Sequence, residues 1–442
     1  MVTFYTPPKK QNLLNKTLDL TITRLDQNGC GVAEYKKRSV FIENTLPCEK
    51  VQVKVIEQSS KYIKAKLIKL NSISDHRVKP LCRHFQQCGG CNFQHLSHSA
   101  QIEFKKNKVE QLFSREGLQI SLPWQQPIIE DPYHYRRKAR IGVQYNKNGK
   151  AIVGFRLSQS NHLIDVQECK VLSPEISDVF VEIKSLLDQL SAHKSVGHVE
   201  VISANKICIV IRQLVSMPES DKVIWSDAEK HSDWEVFIDN GQSITSLNEL
   251  KGNDLFYLLN DGTQINFSTN DFIQVNNKVN QLMVEQAIEW LALKTEDNVL
   301  DLFCGLGNFS LPIAKKVSSV VGVEGVQSMV DKAQANAQFN HISNCQFYQT
   351  DLNSKWQDNL WKDKSFNKII LDPARAGAEQ TIEQIQHYDA EKIVYVSCEP
   401  MTLARDTALL IKQGYKVEKI ALMDMFSQTK HIETMVLFVS VK

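Results

Sequence analysis

The spacing of apolar residues changes twice along the chain, and the changes divide it into three expected domains. Between residues 12 and 70, apolar and polar positions alternate in short runs. Leu18-Asp19-Leu20-Thr21-Ile22-Thr23, Ser39-Val40-Phe41-Ile42 and Val51-Gln52-Val53-Lys54-Val55 each read as a strand with one wet face. Gly29-Cys30-Gly31-Val32-Ala33 follows a turn, and such short, regularly spaced strands predict a small OB-like β-barrel over 12–70. Residues 71–265 predict a central α/β domain, with a helical stretch from Leu96 to Gln119, strands across 133–156, and mixed elements thereafter. From about residue 266 the pattern becomes regular. Val279, Leu282, Met283, Ile288 and Leu291 form a helical stripe, and strand candidates follow at Val299–Leu302, Val320–Val323, Cys345–Tyr348, Lys368–Leu371 and Ile393–Ser397. Helices intervene, including Pro400 to Lys412 with Gly414 as its stop, and Lys419–Met423 and Thr434–Val439 close the chain as strands. Strand–helix alternation over 266–442 predicts a doubly wound, Rossmann-like sheet with an antiparallel final pair.

Composition narrows the class. The chain has 442 residues, 42% of them apolar, and no run of about 18 apolar residues that would span a membrane. Its opening residues lack the apolar core of a signal peptide, so a cytoplasmic chain is expected. The ten cysteines are then reduced thiols or metal ligands. A net charge of +2 hides an asymmetry: residues 1–170 hold 28 Lys and Arg against 14 Asp and Glu, while the rest holds 24 against 36. A basic front suggests a polyanion partner, with a solvated surface as the competing reading. Lys61, Lys64, Lys66 and Lys69 lie near the last barrel strand, and Tyr35, Phe41 and Tyr62 are available to stack on bases. Strand geometry puts Arg136, Lys138 and Arg140 on one face, with Arg137, Ala139 and Ile141 on the other. The first trio either grips phosphates or covers a solvated edge.

The chemistry concentrates late in the chain. Ile393-Val394-Tyr395-Val396-Ser397 is an apolar strand ending at Cys398-Glu399-Pro400, and the proline stops it. Cys398 therefore stands at a strand's carboxyl end, where open α/β sheets carry out their reactions. A lone cysteine there is more often a small buried hydrophobe. Upstream, Asp301-Leu302-Phe303-Cys304-Gly305-Leu306-Gly307-Asn308 is a glycine turn between strand and helix, and Glu324 ends the next strand at ribose-binding spacing. The third glycine of a dinucleotide fingerprint is missing, which favours an S-adenosylmethionine loop of the D-x-F-x-G-x-G kind over a pyrophosphate site. Elsewhere, Cys82-x5-Cys88-x2-Cys91 and the distant Cys169 supply four thiols, enough for a 4Fe–4S cluster. Zinc is the alternative, with His84, His95 or His98 replacing the distant cysteine. Cys30, Cys48, Cys208, Cys304 and Cys345 read as packing.

Five elements occur together in order: the glycine loop, Phe272-Ile273-Gln274-Val275-Asn276, Ile370-Leu371-Asp372-Pro373-Ala374-Arg375-Ala376-Gly377, Val396-Ser397-Cys398-Glu399-Pro400, and His431-Ile432-Glu433-Thr434. The set closely resembles the RNA uracil-C5 methyltransferases that use S-adenosylmethionine. That resemblance implies Cys398 as nucleophile, Glu433 as general base and Gln274 as a cofactor contact. It further implies Phe303, Asn308, Glu324 and Asp372 in the pocket for cofactor or target base, and Asp351 beside the adenine. A thiolate adding at carbon 6 of uracil makes carbon 5 nucleophilic toward the sulfonium methyl, and a base then removes the carbon 5 proton. With the basic barrel, called TRAM in that family, and the cysteine spacing, the likeness extends to the branch that modifies 23S ribosomal RNA. There Cys82, Cys88, Cys91 and Cys169 are implied as ligands of an iron–sulfur cluster that organises RNA binding. The rival expectations are another ribosomal uridine or transfer RNA as substrate, and a non-catalytic RNA-binding assembly factor. A monomer without membrane or obligate protein partner is expected.

Overall fold

The computed structural model describes residues 12–192, 194–248, 255–356 and 360–441. The chain divides into two compact units. One holds residues up to Gln86 with Cys91–Gln101 and Gln428–Lys430; the other holds Gln87–Gly90, Ile102–Ser427 and His431–Lys442.

In the first unit, strands Thr17–Thr21, Arg24–Leu25, Gly31–Tyr35, Arg38–Ile42, Lys50–Gln58 and Tyr62–Leu70 form one sheet. Thr17–Thr21 and Arg24–Leu25 stand at opposite ends of the strand order. Only Ile22 and Thr23 join them, so the sheet must wrap on itself, as the sequence pattern predicts. Leu18, Leu20, Val40, Ile42, Val51, Val53, Val55 and Ile63 fill the inside. Gly29 holds a left-handed φ of +82°, and a Cβ there would fall 2.3 Å from the Phe93 ring. Glu49, fully buried, accepts the Leu46 N–H at 2.7 Å and both the Nε and Nη2 of Arg77, at 2.5 and 2.9 Å. Those hydrogen bonds hold its carboxyl below the usual range against the upward push of burial.

The second unit contains two seven-stranded sheets. The first is built from strands between Lys138 and Ser246 and packs its core on helix Val179–Leu187 and Trp225. Here the three cations of one strand face meet protein partners. Lys138 donates to the carbonyls of Thr269 and Asp271 at 2.8 and 3.0 Å, Arg136 Nε donates to the Lys138 carbonyl, and Arg140 pairs with Glu200 at 2.6 Å. Lys138 is thus committed to internal carbonyls, whereas Arg140 stays largely exposed beside Glu200.

The second sheet comprises β1 (Asn298–Leu302), β2 (Ser319–Glu324), β3 (Cys345–Gln349), β4 (Lys368–Leu371), β5 (Lys392–Ser397), β6 (Tyr415–Met423) and β7 (Glu433–Ser440). The order is β3-β2-β1-β4-β5-β7-β6, parallel except for β7, which is antiparallel to both neighbours. Order reverses between β1 and β4, the switch point at which doubly wound sheets bind ligands. Strand β5 is buried on both faces, as its continuous apolar run predicts. One face packs on helix Asn277–Leu291, with Val279 and Met283 in the core. The other packs on helix Pro400–Lys412 and on Val109 and Phe113 of helix His98–Arg115. That last helix precedes the sheet by about 180 residues in sequence, yet it covers the sheet, because its apolar side finds no other face of comparable size.

Candidate active site

The glycine loop leaves β1 through residues that only a special backbone allows. Phe303, Gly305 and Gly307 have φ of +67°, +54° and +90°, and the N–H groups of Phe303 and Cys304 donate to the Val323 carbonyl at 2.9 and 3.1 Å. Glu324, at the end of β2, accepts from the N–H of Gly305 at 3.2 Å, Gly325 at 2.8 Å and Val326 at 3.2 Å. The carboxylate thus braces the loop. A Cβ at Gly305 would meet nothing closer than Met329 at 4.0 Å, so this side of the loop is open to a ligand. Asn308 and Asn280 exchange amide hydrogen bonds at 2.9 and 3.1 Å, and the Tyr257 hydroxyl donates to the same Asn308 oxygen at 3.0 Å. Asp301 is fully buried and accepts from the Ser310 hydroxyl, while its Oδ1 has no partner among the described residues. Burial pushes its pKa up to about 7. An open glycine turn with a flanking acid fits an adenosyl cofactor.

The other expected contacts are spread around this loop. Gln274 is half-buried and its carbonyl accepts Arg137 Nε at 2.8 Å. Phe272, two residues earlier, is 71% exposed. Asp351 lies just beyond β3, exposed, with its carboxylate accepting the Asn353 N–H at 3.0 Å in a turn.

The thiol and the acids converge. Ser397 of β5 is registered with Thr434 of β7, so Cys398 and Glu433 leave the sheet edge as neighbours. Asp372 follows β4, the other neighbour of β5, and its N–H donates to the Leu302 carbonyl at 3.3 Å. Electrostatics show that these groups share one space. Burial, then Glu433 and Asp372, push the Cys398 thiol up to about 12, with Arg375 pulling the other way. Burial and Asp372 hold the Glu433 carboxyl well above its ordinary range, opposed by Lys105 and Arg375. Burial alone raises Asp372 to about 7. A protonated thiol, one acid that titrates near neutrality, a second raised above the ordinary carboxylate range and one nearby guanidinium are suited to covalent addition followed by proton transfer.

Two residues of this neighbourhood escaped the sequence reading. Arg375 lies inside a motif that was recognised, but nothing in the pattern gave it a role. Lys105 carries no signal at all. Its ammonium, 1% exposed, pairs with the buried Asp424 at 2.6 Å and donates to the Phe426 carbonyl at 3.2 Å. Its partner is more than 300 residues away in sequence.

The cysteine set divides between the two units. Cys82 and Cys91 belong to the first unit and Cys88 and Cys169 to the second. All four are partly buried, and no group of three or more His, Cys, Asp or Glu among the described residues is recorded as arranged to hold a metal ion. Cys208, Cys304 and Cys345 are buried, as packing requires, whereas Cys48 is exposed.

A family model described as tRNA (Uracil-5-)-methyltransferase matches residues 97–441, and a TRAM domain model matches 11–68. The chain is 47% identical over 465 residues to a 23S rRNA (uracil(1939)-C(5))-methyltransferase RlmD of Colwellia psychrerythraea, covering 99% of each chain. It is 44% identical over 440 residues to the protein of that name from Aliivibrio fischeri, covering 99% of this chain and 100% of the other. Among solved structures, a Pyrococcus abyssi tRNA (uracil-54, C5)-methyltransferase in complex with S-adenosyl-L-homocysteine superposes with a TM-score of 0.74 at 20% identity. That match covers 96% of this chain and 100% of the other, and establishes a shared fold. No described helix is long and apolar enough to cross a membrane.

Proposed function

From the premise that the chain belongs to the tRNA (uracil-5-)-methyltransferase family, we propose that it is an S-adenosylmethionine-dependent RNA uracil-C5 methyltransferase acting on 23S rRNA. The target we assign is uridine 1939, the position in the relatives' names. The observation that carries the chemistry is the Cys398 thiol in the electrostatic field of Glu433 and Asp372, at the sheet edge beside an open glycine loop.

Bound S-adenosylmethionine supplies an electrophilic methyl group. Cys398 adds as thiolate to carbon 6 of the uracil and so makes carbon 5 nucleophilic. Once carbon 5 carries the methyl, Glu433 takes its remaining proton, the carbon 6–sulfur bond breaks, and the sulfur leaves as thiolate. Asp372, which holds a proton near neutrality, is placed in this reading to hydrogen-bond the uracil edge and favour uracil over cytosine. Gln274, Phe303, Asn308, Glu324 and Asp351 are assigned to the cofactor side, with Glu324 toward the ribose and Asp351 toward the adenine. Residues 12–70 are proposed as the RNA-binding barrel, 71–265 as a central domain and 266–442 as the methyltransferase domain of a cytoplasmic monomer.

A 4Fe–4S cluster on Cys82, Cys88, Cys91 and Cys169 is kept as a proposal resting on sequence spacing alone, and no catalytic step runs through it. Brown colour and iron with sulfide in anaerobically purified protein would support it; colourless protein with stoichiometric zinc would remove it. The catalytic reading is tested with Cys398→Ala. The variant should bind S-adenosylmethionine as the parent does, yet form neither methyluridine nor a covalent adduct with 5-fluorouridine RNA. Methylation by this variant would refute the nucleophile.

A further inference from the structure

Tyr257, whose hydroxyl reaches Asn308 of the glycine loop, also walls a cleft of about 640 Å³ that Cys398, Asp372 and Glu433 do not line. Three residues that line this cleft each carry a buried polar atom with no hydrogen-bond partner among the described residues: Arg137 Nη2, Asn276 Nδ2 and Ser173 Oγ. Arg137 is 5% exposed and rigidly set. Its guanidinium lies 4.4 Å over the Tyr257 ring, its Nε bonds the Gln274 carbonyl, and its Nη1 bonds Asn277 at 2.9 Å. Asn276, 1% exposed, spends its oxygen capping helix Asn277–Leu291 through the Val279 N–H at 3.1 Å, which leaves only its amide nitrogen to act. Native proteins seldom leave buried donors unbonded, and donors so left at the positive end of a helix are built for an acceptor.

The chemistry of the acceptor follows from the walls. Tyr133, Phe256 and Tyr257 offer aromatic surface, while Glu130, Asp131 and Glu175 outnumber the cations Arg137 and Lys278, a balance that gives a phosphate no net attraction. A planar, uncharged group with hydrogen-bond acceptors along one edge satisfies both conditions. We infer that this cleft receives an unpaired nucleobase of the RNA substrate, distinct from the uridine that is methylated. The base is recognised through acceptor atoms on its edge by Arg137 and Asn276. This rests on the proposed RNA-methyltransferase function, and it adds a determinant of which RNA is chosen.

The test pairs protein variants with abasic RNA. Asn276→Asp keeps the oxygen that caps the helix and removes the free donor; Ser173→Ala removes a hydroxyl with no bond to lose. Both should melt with the parent protein. For an RNA loop containing the target uridine, Asn276→Asp should weaken binding by about tenfold, the ordinary worth of one recognised base. One abasic substitution away from the target should cost the parent protein about as much, yet cost Asn276→Asp less than about twofold, since the two changes remove the same contact. Methylation at saturating RNA should persist in both variants. If no abasic position is coupled to Asn276 while the parent still methylates uridine, the cleft is not a base site; if the parent methylates no uridine, the proposed function itself falls.

Discussion

Iodoacetamide added to the ligand-free protein measures how far the candidate nucleophile is suppressed at rest. The Cys398 thiol stands at about 12, against an ordinary 9.0, first because it is buried and then because Glu433 and Asp372 face it. Only a thiolate is alkylated, so a rise of about three pH units lowers the reactive fraction roughly a thousandfold at pH 7.5. The assay is a time course read by mass spectrometry on the peptide containing Cys398, because the exposed Cys48 reacts independently. The rate should climb about tenfold per pH unit from 7 to 10, with no plateau. Arg375→Ala removes the one charge that lowers the thiol's pKa and should slow alkylation further. Asp372→Asn should speed it, most clearly above pH 7 where that acid ionises. A plateau near pH 8.5, or a rate at pH 7.5 equal to that of free cysteine, would refute the reasoning. It would mean that the pocket is wetter or more positive than the packing of β5 and β7 implies.

Lys105→Met leaves the buried Asp424 without its counter-charge, and equilibrium urea unfolding should show a loss of about 3–5 kcal/mol. A change below about 1 kcal/mol would show that Asp424 is solvated or protonated instead. Asp301 binds its proton more tightly when folded, so its contribution is fully present below about pH 4 and is lost as pH rises through about 7. Asp301→Asn should therefore narrow the stability difference between pH 5 and pH 8; an unchanged difference would exclude Asp301 as its source. If about five phosphates are neutralised on binding single-stranded RNA, the logarithm of affinity should fall with that of salt at a slope of about −3.5, and a flat response would contradict the basic front.

Local signals made the scaffold readable. Buried parallel strands announce themselves as unbroken apolar runs, so β4 and helix Pro400–Lys412 lie where the pattern put them, and β1, β2, β3 and β5 differ only at their ends. Strands β6 and β7 extend further than expected because Tyr415, Lys416 and Glu433 pair across an antiparallel edge that tolerates polar residues. The candidate site was legible where its residues stand next to one another in sequence, as in the glycine loop or at Cys398 before Pro400. It was not legible where a side chain acts across the fold. Lys105 sits on an unremarkable amphipathic helix, and only the docking of that helix against the end of β6 gives its charge a partner. Lys138 and Arg140 show the same limit: period two gave their face, but their partners, Thr269, Asp271 and Glu200, come from distant segments.

The same long-range packing sets the order of proton movements in the proposed reaction. Glu433 is held above its ordinary range by burial and by Asp372, so its surroundings disfavour the ionised form in which it would act as a base. Arg375 and Lys105 are the cations that favour its ionised form, and neither overcomes the burial. Addition of sulfur to carbon 6 does not require Glu433 as base, whereas release of sulfur does. Glu433→Gln should therefore form the covalent protein–RNA adduct within a few-fold of the parent rate and then retain it. On a denaturing gel with labelled RNA, the adduct should persist after the parent protein has released all of its product. Release of methylated RNA by Glu433→Gln at the parent rate would mean that another group takes the carbon 5 proton, and Asp372, which holds its proton near pH 7 in the same pocket, would be the residue to substitute next.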